Sequence, residues 1–418
     1  MKNSETKPNI SVKRGNLAAI FATALLFICS LINLPAADHA AAEAKFYPIL
    51  TLPIPEGITL EAGALQIMPS NRVAVSTRLG DVYLIDGAFD NPPAKVKFNL
   101  YASGLHEVLG LALREKSLYA TQRGEVTRME DLDGDGRADL FQTVSDGWGI
   151  GGDYHEYAFG SKFDRDTNIW VVLCLTGSFT SENLYRGWCL RIGPGGKVTP
   201  TCSGIRSPGG IGTNSLGEMF YTDNQGPWNG ACALKHLVPG GFMGNPSGNK
   251  WYEVANLPGP SPLEPKSGSR MHIEAKKIPE LIPPAVLFRG GKPFALQRML
   301  WNGQTPFEIH EMRARPDGFE LTFTQPVDPV TAGKIDSYKL ETFTYIYRAE
   351  YGSPEVDQTT PTIKNVSVAK NGLSAQLSVD GLQEGHIHEL HLPGVRSTSG
   401  APLLHDVAYY TMNYIPAK

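Results

Sequence analysis

A short unit recurs four times in this chain at an almost constant spacing. Each copy is a small polar turn followed by a short apolar strand, and the copies occupy residues 71–75, 116–120, 167–171 and 217–221. Repeats of roughly 40 to 50 residues that each contain several short strands are typical of β-propeller blades, because one blade can bury its two faces only against its neighbours. The sequence therefore predicts an all-β fold that contains a β-propeller with four recognisable blades.

The array of repeats is interrupted after the fourth copy. A fifth copy is expected near residue 269, but residues 267–272 read Ser-Gly-Ser-Arg-Met-His and contain no apolar strand. The surrounding stretch is rich in proline, which cannot donate a hydrogen bond within a sheet. We therefore expect an incomplete propeller.

The composition favours a turn-rich β protein and disfavours one class of partner. The 418 residues include 44 glycines and 31 prolines, and only 19% of the residues are charged. This length exceeds the roughly 250 to 300 residues at which a single core stops growing, so more than one domain is allowed. The formal net charge is -4, and no basic cluster follows the N-terminal region, so nucleic acid is not expected as a partner.

The N-terminus has the pattern of an export signal. Lys13 and Arg14 precede an uncharged apolar run over residues 17–34, and alanines at alternating positions lead to Ala44. This pattern predicts a signal peptide over residues 1–44, cleaved near Ala44, and a periplasmic or secreted protein. The apolar run is longer than the usual signal core, so an uncleaved N-terminal anchor is the alternative. No later segment is apolar enough to span a bilayer.

Cysteine usage is compatible with export. Removal of the signal peptide takes Cys29 away and leaves Cys174, Cys189, Cys202 and Cys232. Four cysteines in an exported protein allow disulfides in three connectivities. A bridge between Cys202 and Cys232 is favoured, because both are expected on loops of adjacent blades.

The residue pattern of the chain changes after the propeller region, which we assign to residues 45–300. Residues 319–323, 375–379 and 388–392 alternate apolar and polar side chains, with turns between them. Strands of this kind predict a C-terminal immunoglobulin-like β-sandwich over residues 305–418.

Three histidines fall together in this C-terminal region, at positions 386, 388 and 391. In a strand, His386 and His388 share one face while His391 lies on the other, so only two of them could converge on a metal. An exposed sandwich strand is expected here rather than a metal site.

An aspartate-rich loop is the sharpest local motif. It places carboxylates at its first, third, fifth and ninth positions and a glycine at its sixth; the carboxylates belong to Asp131, Asp133, Asp135 and Asp139. Such a loop can converge hard oxygen ligands on a calcium ion, although its twelfth position is not the glutamate of an EF-hand. The alternative is a set of Asx turns in which the aspartates bond to their own backbone.

Two further segments carry candidate functional side chains. His155 lies close to Asp153 at the expected start of an inner propeller strand, where a neutral imidazole could accept a proton and Asp153 could set its tautomer. Arg206 enters a glycine-rich turn and could hold an anionic ligand. The alternatives are a loop histidine bonded to a backbone carbonyl and an arginine that braces its loop.

The order of these motifs resembles a known family. The sequence Gly-Leu-His-Glu-Val-Leu-Gly-Leu-Ala at 104–112, the aspartate-rich loop, His155, and Gly-Ile-Arg-Ser-Pro-Gly-Gly at 204–210 resemble the soluble glucose and sorbosone dehydrogenase propellers. Residues 222–229, 239–242 and 307–313 look like the secreted bacterial membrane-bound dehydrogenase family, which is related to them. Those enzymes are six-bladed, use pyrroloquinoline quinone (PQQ) with calcium, and oxidise sugars.

The resemblance implies roles for individual residues. His155 matches the general base that takes the substrate hydroxyl proton, and Arg206 matches an arginine that contacts the quinone. Ser207 stands where the family often has asparagine. Residues 283–288 look like a strand from the middle of the family's propeller and residues 289–296 like its last one, which implies a loss of about two blades near residue 288.

Two functions follow as hypotheses. The first is a periplasmic, PQQ-type dehydrogenase-like protein that acts on a sugar or alcohol, with Ca2+ and PQQ as cofactors and with an activity impaired by the shortened propeller. The second is a non-catalytic secreted protein with propeller and immunoglobulin-like domains that binds glycans or protein partners.

Overall fold

The computed structural model describes residues 36–175, 181–256 and 296–417. The chain divides into two compact units, Met1–Lys45 and Phe46–Lys418. The apolar run of the expected signal peptide and the expected interruption over residues 267–288 lie outside the described residues. Among the described helices, none has the length and apolar character needed to cross a bilayer.

Strands dominate the described chain, as the all-β prediction requires. The strands of the first part are β1 (Ile49–Leu52), β2 (Ala62–Met68), β3 (Arg72–Thr77), β4 (Val82–Asp86), β5 (Lys97–Ala102), β6 (Gly110–Arg114), β7 (Ser117–Thr121), β8 (Val126–Glu130), β9 (Leu140–Ser145), β10 (Ala158–Phe163), β11 (Ile169–Leu173), β12 (Trp188–Ile192), β13 (Val198–Ser203), β14 (Pro208–Thr213), β15 (Met219–Asp223), β16 (Ala233–His236) and β17 (Leu296–Met299). The later strands are β18 (Ile309–Arg315), β19 (Gly318–Phe323), β20 (Lys339–Tyr345), β21 (Glu355–Thr359), β22 (Thr362–Val368), β23 (Ser374–Asp380), β24 (His386–His391) and β25 (Val407–Met412). Short α-helices span Ala36–Glu43, Tyr252–Ala255 and Pro329–Ala332, and 3-10 helices span Pro246–Trp251 and Ile335–Ser337.

The sequence repeat corresponds to one position in four successive antiparallel sheets. The sheets are ordered β2-β3-β4-β5, β6-β7-β8-β9, β10-β11-β12-β13 and β14-β15-β16. The four repeat units form the second strands of these sheets, which are β3, β7, β11 and β15. In β11 every residue is buried, so its apolar side chains are covered on both faces of the sheet, whereas β15 is buried on one face. The first two repeat strands each pair antiparallel with the strand that follows, as β3-β4 and β7-β8.

The four sheets are arranged as in a propeller. Their first strands lie side by side, with contacts from β2 to β6, from β6 to β10 and from β10 to β14. Apolar clusters fill the spaces between consecutive sheets: Leu84 packs near Leu111 between the first two, and Val172 packs near Tyr221 between the last two. The described fold is therefore propeller-like around its first strands.

The fourth sheet departs from the other three because its described part has three strands. After β16 the chain returns to the edge of the third sheet, where Phe242 forms a parallel bridge with Ser203. The Met243 amide donates to the Ser203 carbonyl at 2.8 Å. Trp251 then packs into the core of the third sheet.

A small sheet of β1 and β17 covers the first blade-like sheet. These strands pair antiparallel, with Leu52 opposite Leu296. Both leucines are buried against Val73, Val75 and Ile85 of the first sheet. The part of the chain that resumes at residue 296 therefore packs at the start of the array.

The C-terminal part is a pair of four-stranded antiparallel sheets around one core. Their orders are β18-β19-β23-β22 and β21-β20-β24-β25. Phe319 and Leu377 from one sheet and Leu340 and Leu390 from the other belong to the same buried cluster.

The expectation that the histidine strand is exposed is wrong. The residue His388 is 0% exposed and His386 is 7% exposed on β24, because β24 is a central strand whose inward face meets the opposite sheet. The His388 ring lies 5.4 Å from the Phe319 ring. Burial, followed by the charge of His386, lowers the pKa of His388 from 6.5 to about 4.

This shift predicts that acid destabilises the protein. Between pH 6.5 and about 4 the unfolded chain binds a proton at position 388 while the folded chain does not. The free energy of unfolding should therefore fall by up to about 3 kcal/mol as the pH drops through this window, and this group contributes no slope above it. Urea unfolding followed by circular dichroism at both ends of the window measures the fall. His388→Leu should remove most of it and the exposed His310→Leu should keep it; equal falls in both variants would contradict the assignment.

Candidate functional site

The loops that precede the inner strands β10 and β14 are joined by consecutive backbone amides. The Cys174 amide donates to the Tyr157 carbonyl, and the Leu175 amide donates to the Arg206 carbonyl, each at 2.9 Å. These bonds place the loop of His155 and the loop of Arg206 side by side at the same end of the array. The structure therefore brings together two segments that are about 50 residues apart in the sequence.

His155 is partly exposed and is held by its own loop. Its backbone amide donates to Oδ1 of Asp153 at 3.3 Å, so this carboxylate fixes the turn that carries the histidine. The rings of Tyr154 and His155 meet edge to face at 4.6 Å, and Tyr154 is 71% exposed. The imidazole thus borders solvent beside an exposed aromatic side chain.

Arg123 ties this loop to the second sheet. Its guanidinium forms an ion pair with Glu107 at 2.8 Å, and both side chains are mostly buried. The same guanidinium donates to the carbonyls of Asp153 and Tyr154. It also lies 4.9 Å from the centre of the Tyr157 ring. Because a guanidinium offers five donors in a fixed plane, Arg123 can hold both carbonyls and the carboxylate at once.

Glu156 is a buried carboxylate that holds the His155 loop through hydrogen bonds. It is 1% exposed and accepts hydrogen bonds from the Gly151 amide, Ser181 Oγ and Asn183 Nδ2, each at 2.6 Å. Burial by itself would raise the pKa of Glu156, but these donors outweigh it and lower the pKa below its usual value. A carboxylate with this many donors serves to fix the loop.

Arg186 is the second buried cation near the His155 loop. It is 0% exposed and donates to the carbonyls of Tyr157 at 3.0 Å and of Gly149 at 2.8 Å. Burial lowers its pKa to about 10, against the attraction of Glu156. Arg186 and Glu156 together brace the two ends of the loop that presents His155.

Arg206 is buried and bonded to backbone. It is 3% exposed, and its Nη1 donates to the carbonyls of Asn224 at 3.1 Å and Gln225 at 2.8 Å. Burial lowers its pKa. The close approach requires Gly226, since a Cβ at that position would lie 1.9 Å from the Arg206 Cζ. The guanidinium thus binds the backbone of the loop that follows β15.

The C-terminal sandwich docks on this same loop. The Trp228 amide donates to the Arg348 carbonyl at 2.9 Å, and the Gly352 amide donates to the Gly226 carbonyl at 3.2 Å. The ring of Tyr351 lies over the Arg206 guanidinium, 5.4 Å from its Cζ. The loop between β20 and β21 therefore covers Arg206.

The aspartate-rich loop joins β8 and β9 and brings three of its four predicted carboxylates together. One oxygen each from Asp131, Asp133 and Asp139 lies within 4.8 Å of the others. Carboxylate oxygens of these aspartates also accept backbone bonds, among them Gly134 N to Asp131 Oδ1 at 2.7 Å and Leu132 N to Asp139 Oδ2 at 2.8 Å. Asp135 lies outside this group and accepts from the Arg137 amide at 2.8 Å. The geometry is compatible with both predictions made for this loop.

Two cavities lie away from these loops. One, of about 360 Å³, is lined by Arg114, Arg128 and Phe163 among others. A more open one, of about 590 Å³, lies on the fourth sheet and is lined by residues 209–214, Phe220 and Leu234 among others. Neither of these two is lined by His155 or Arg206.

Sequence reasoning missed several residues that shape this region. Arg123, Glu156 and Arg186 brace the His155 loop, and Tyr351 covers Arg206. A charged residue in a connection between blade strands is a weak signal for the first three. Nothing in the local sequence around Tyr351 points to a residue 145 positions earlier.

Comparisons with known proteins give only weak likenesses. No protein-family model matches the chain, and no curated protein matches it. Among solved structures, a glucose dehydrogenase-type oxidoreductase of Thermus thermophilus is 17% identical, with a TM-score of 0.37 and coverage of 82% of this chain and 93% of that one. The PQQ-bound aldose sugar dehydrogenase of Streptomyces coelicolor is 14% identical, with a TM-score of 0.38 and coverage of 79% and 98%.

Another likeness involves a different kind of protein. The S-layer protein SbsC is 22% identical over 26% of this chain, with a TM-score of 0.21, and the chain spans only 14% of its length. With TM-scores below 0.5, none of these likenesses bears on the family or the activity of the chain.

Proposed function

We propose that this protein is a periplasmic, PQQ-type dehydrogenase-like protein that acts on a sugar or an alcohol. The observation that carries the proposal is the pairing of the His155 loop with the Arg206 loop through the amides of Cys174 and Leu175. These are the two segments whose residues resemble the proton acceptor and the quinone-contacting arginine of the dehydrogenase propellers.

His155 is the general base of the proposed reaction. Its imidazole borders solvent, and a neutral imidazole can accept the proton of a substrate hydroxyl near neutral pH. Asp153, bonded to the His155 amide at 3.3 Å, is a positioning residue that keeps the turn in place. The exposed ring of Tyr154 offers a flat apolar surface of the kind on which a sugar ring can stack.

The described residues fit PQQ in part. When bound, this cofactor would supply the acceptor for the hydride that leaves the substrate carbon. Arg206 would hold an anionic group of the cofactor, but its guanidinium is bonded to the Asn224 and Gln225 carbonyls and covered by Tyr351. Access to Arg206 therefore requires the loop between β20 and β21 to move, and a weak activity is expected.

A dye-linked oxidation assay tests this function. The purified protein is incubated with PQQ and calcium and then offered a panel of aldoses and alcohols with an artificial electron acceptor. Reduction of the acceptor that depends on protein, PQQ and substrate supports the proposal. If the acceptor is reduced at the same rate without protein for every substrate, the dehydrogenase function is rejected.

We also propose that the aspartate-rich loop binds Ca2+ through Asp131, Asp133, Asp139 and, after a small rearrangement, Asp135. Carboxylate oxygens within 4.8 Å of one another suit a hard cation that takes six to eight oxygen ligands at 2.3 to 2.6 Å. The Ala138 amide donates to the Tyr101 carbonyl of the first sheet at 2.8 Å. Calcium here would therefore stabilise the contact between the first two sheets.

Calcium should raise the thermal stability of the protein, and Asp139→Asn should remove most of this effect. Asparagine keeps an oxygen that can accept the Leu132 amide bond but loses the charge that attracts the ion. At a calcium concentration about 100 times the Kd, the expected stabilisation is about 2.7 kcal/mol. Melting curves with calcium and with a chelator measure it, and the distant Asp336→Asn is the control. An equal calcium response in both variants would leave the Asx turns as the whole explanation of this motif.

The second candidate function is a non-catalytic secreted protein that binds glycans or protein partners. The two hydrogen bonds that Arg206 donates to backbone carbonyls favour this non-catalytic function, because they give the guanidinium a structural role. The open cavity of about 590 Å³ on the fourth sheet offers a place where a glycan or a protein partner could bind. A glycan array with the purified protein, together with a negative oxidation assay, distinguishes it from the first candidate.

Three features of the organisation belong to the same proposal. The export signal over residues 1–44 would deliver the protein to the periplasm or the medium. A loss of about two blades near residue 288 would explain the repeat that stops after the fourth copy. An immunoglobulin-like assignment of residues 305–418 is supported by the strand orders β18-β19-β23-β22 and β21-β20-β24-β25, which follow the A-B-E-D and C′-C-F-G orders of that fold.

A further inference from the structure

Two buried cysteines face each other across the hairpin of β12 and β13. Cys189 and Cys202 are cross-strand partners in the register of this hairpin, and both are 0% exposed. Directly opposite residues in an antiparallel pair have Cα atoms about 4.5 to 5.5 Å apart, which lies within the range of about 4.4 to 6.8 Å found for disulfides. The Cys202 thiol donates to the Val238 carbonyl at 3.1 Å.

The other cysteines have different surroundings. Cys232 lies on the loop before β16, with its sulfur 3.2 Å from Asn224 Oδ1 and 3.3 Å from the Gln225 amide. Cys174 lies 3.5 Å from the Arg206 carbonyl. The Cys202–Cys232 bridge expected from the sequence is not formed. Cys202 lies within strand β13 and not on a loop, and its sulfur contacts the Val238 carbonyl, whereas the Cys232 sulfur contacts Asn224 and Gln225. The hairpin instead places Cys189 opposite Cys202.

We propose that Cys189 and Cys202 form a cross-strand disulfide when the chain folds in the presence of a disulfide oxidant. One cysteine thiolate attacks a sulfur of the oxidant, forms a mixed disulfide and releases one thiol. The second cysteine then attacks the protein sulfur of that mixed disulfide and releases the second thiol. The two protein thiols lose two protons and two electrons, and the oxidant is reduced from one disulfide to two thiols.

The surroundings of the pair set the time at which this bond forms. Both cysteines belong to the core between the third and fourth sheets, together with Tyr221 and Met243. Burial, followed by the neighbouring Cys202 thiol, raises the pKa of Cys189 well above its usual value. Because the thiolate is the nucleophile, the closed core oxidises slowly. The bond therefore forms during folding, before the fourth sheet closes over the hairpin, and is afterwards shielded from reductants.

Peptide mapping tests the proposal. The full-length protein is unfolded, refolded with reduced and oxidised glutathione, alkylated and digested with trypsin. The sequence places the four relevant cysteines on separate tryptic peptides, which are 166–186, 187–191, 198–206 and 207–235. We expect a linked species of 187–191 with 198–206, and its loss after reduction. Recovery of both peptides in alkylated form, or a link from 198–206 to 207–235, would overturn the proposal.

A stability measurement adds an independent readout. Reduction of the oxidised protein should lower its melting temperature by about 4 °C, because the bond closes a loop of about 14 residues. Cys202→Ala should abolish this redox-dependent shift, while Cys174→Ala, also at a buried position, should retain it. A shift of equal size in both variants would assign the effect to another pair and contradict the proposal.

Discussion

Replacement of Lys235 by methionine is expected to lower the free energy of unfolding by about 3 to 5 kcal/mol. Lys235 is 1% exposed, and its Nζ donates to Asp223 Oδ2 at 3.2 Å, Asn229 Oδ1 at 2.9 Å and the Met243 carbonyl at 2.8 Å. All three ammonium donors are therefore used. Methionine fills a similar volume but leaves the buried carboxylate of Asp223 without its counter-charge.

The effect should be specific to the buried pair. Asp223 keeps its bonds from the Ser207 amide at 2.7 Å and the Tyr221 hydroxyl at 2.9 Å. The loss therefore measures the missing charge together with the lost bonds to Asn229 Oδ1 and the Met243 carbonyl. Lys364→Met is the matched control, because its ion pair with Asp380 is more than half exposed on both sides and should be worth less than about 1 kcal/mol.

Urea unfolding followed by tryptophan fluorescence measures both variants. The double variant Lys235→Met with Asp223→Asn should lose less stability than the sum of the two single variants, because the second change removes the unpaired charge. A loss below about 1 kcal/mol for Lys235→Met would show that the fourth sheet does not depend on this pair.

Replacement of His155 by alanine is expected to lower kcat/KM for the oxidised substrate by about 100-fold to 10,000-fold. Loss of a positioned general base typically has this size. KM should change little, because proton transfer contributes in the transition state and not in substrate binding. The fold should persist, since the loop is braced by Glu156 and Arg186 through bonds that do not involve the imidazole.

The dye-linked assay measures this loss, and circular dichroism checks the fold. His310→Ala is the matched control, since His310 is an exposed histidine on β18 and should leave kcat/KM unchanged. Asp153→Asn should give a smaller loss, because its carboxylate is bonded to the backbone of His155. A His155→Ala protein with unchanged kcat/KM would remove the histidine from the proposed reaction.

Much of the fold could be predicted from the sequence where local pattern decides it. The four repeat units form the second strands of four sheets because their apolar residues are largely buried, on both faces in β3 and β11 and on one face in β15. The path of the described chain after β16 could not be predicted, because it involves a contact between Phe242 and Ser203 of the third sheet. The burial of His388 was also hidden, since alternation alone does not say which face of a strand meets the opposite sheet.

The sequence predicted which segments form the candidate site, but it did not predict the contacts that their side chains make. The blade repeat implies that loops before successive inner strands share one end, which is where the His155 and Arg206 loops lie. The direction of the Arg206 guanidinium depends on the carbonyls of Asn224 and Gln225 and on Tyr351, which the local sequence does not reveal. Three aspartates of the predicted calcium loop converge because a single loop carries them, so spacing alone was sufficient there.

Titration of the purified protein with PQQ in the presence of calcium tests the central claim most directly. Heat release or quenching of tryptophan fluorescence reports the binding, and the Arg206→Leu variant reports whether the guanidinium contributes. The proposed function predicts saturable binding at micromolar or tighter affinity that weakens in the variant. An absence of saturable binding by the intact protein would contradict a PQQ-type dehydrogenase and leave the glycan-binding or protein-binding function.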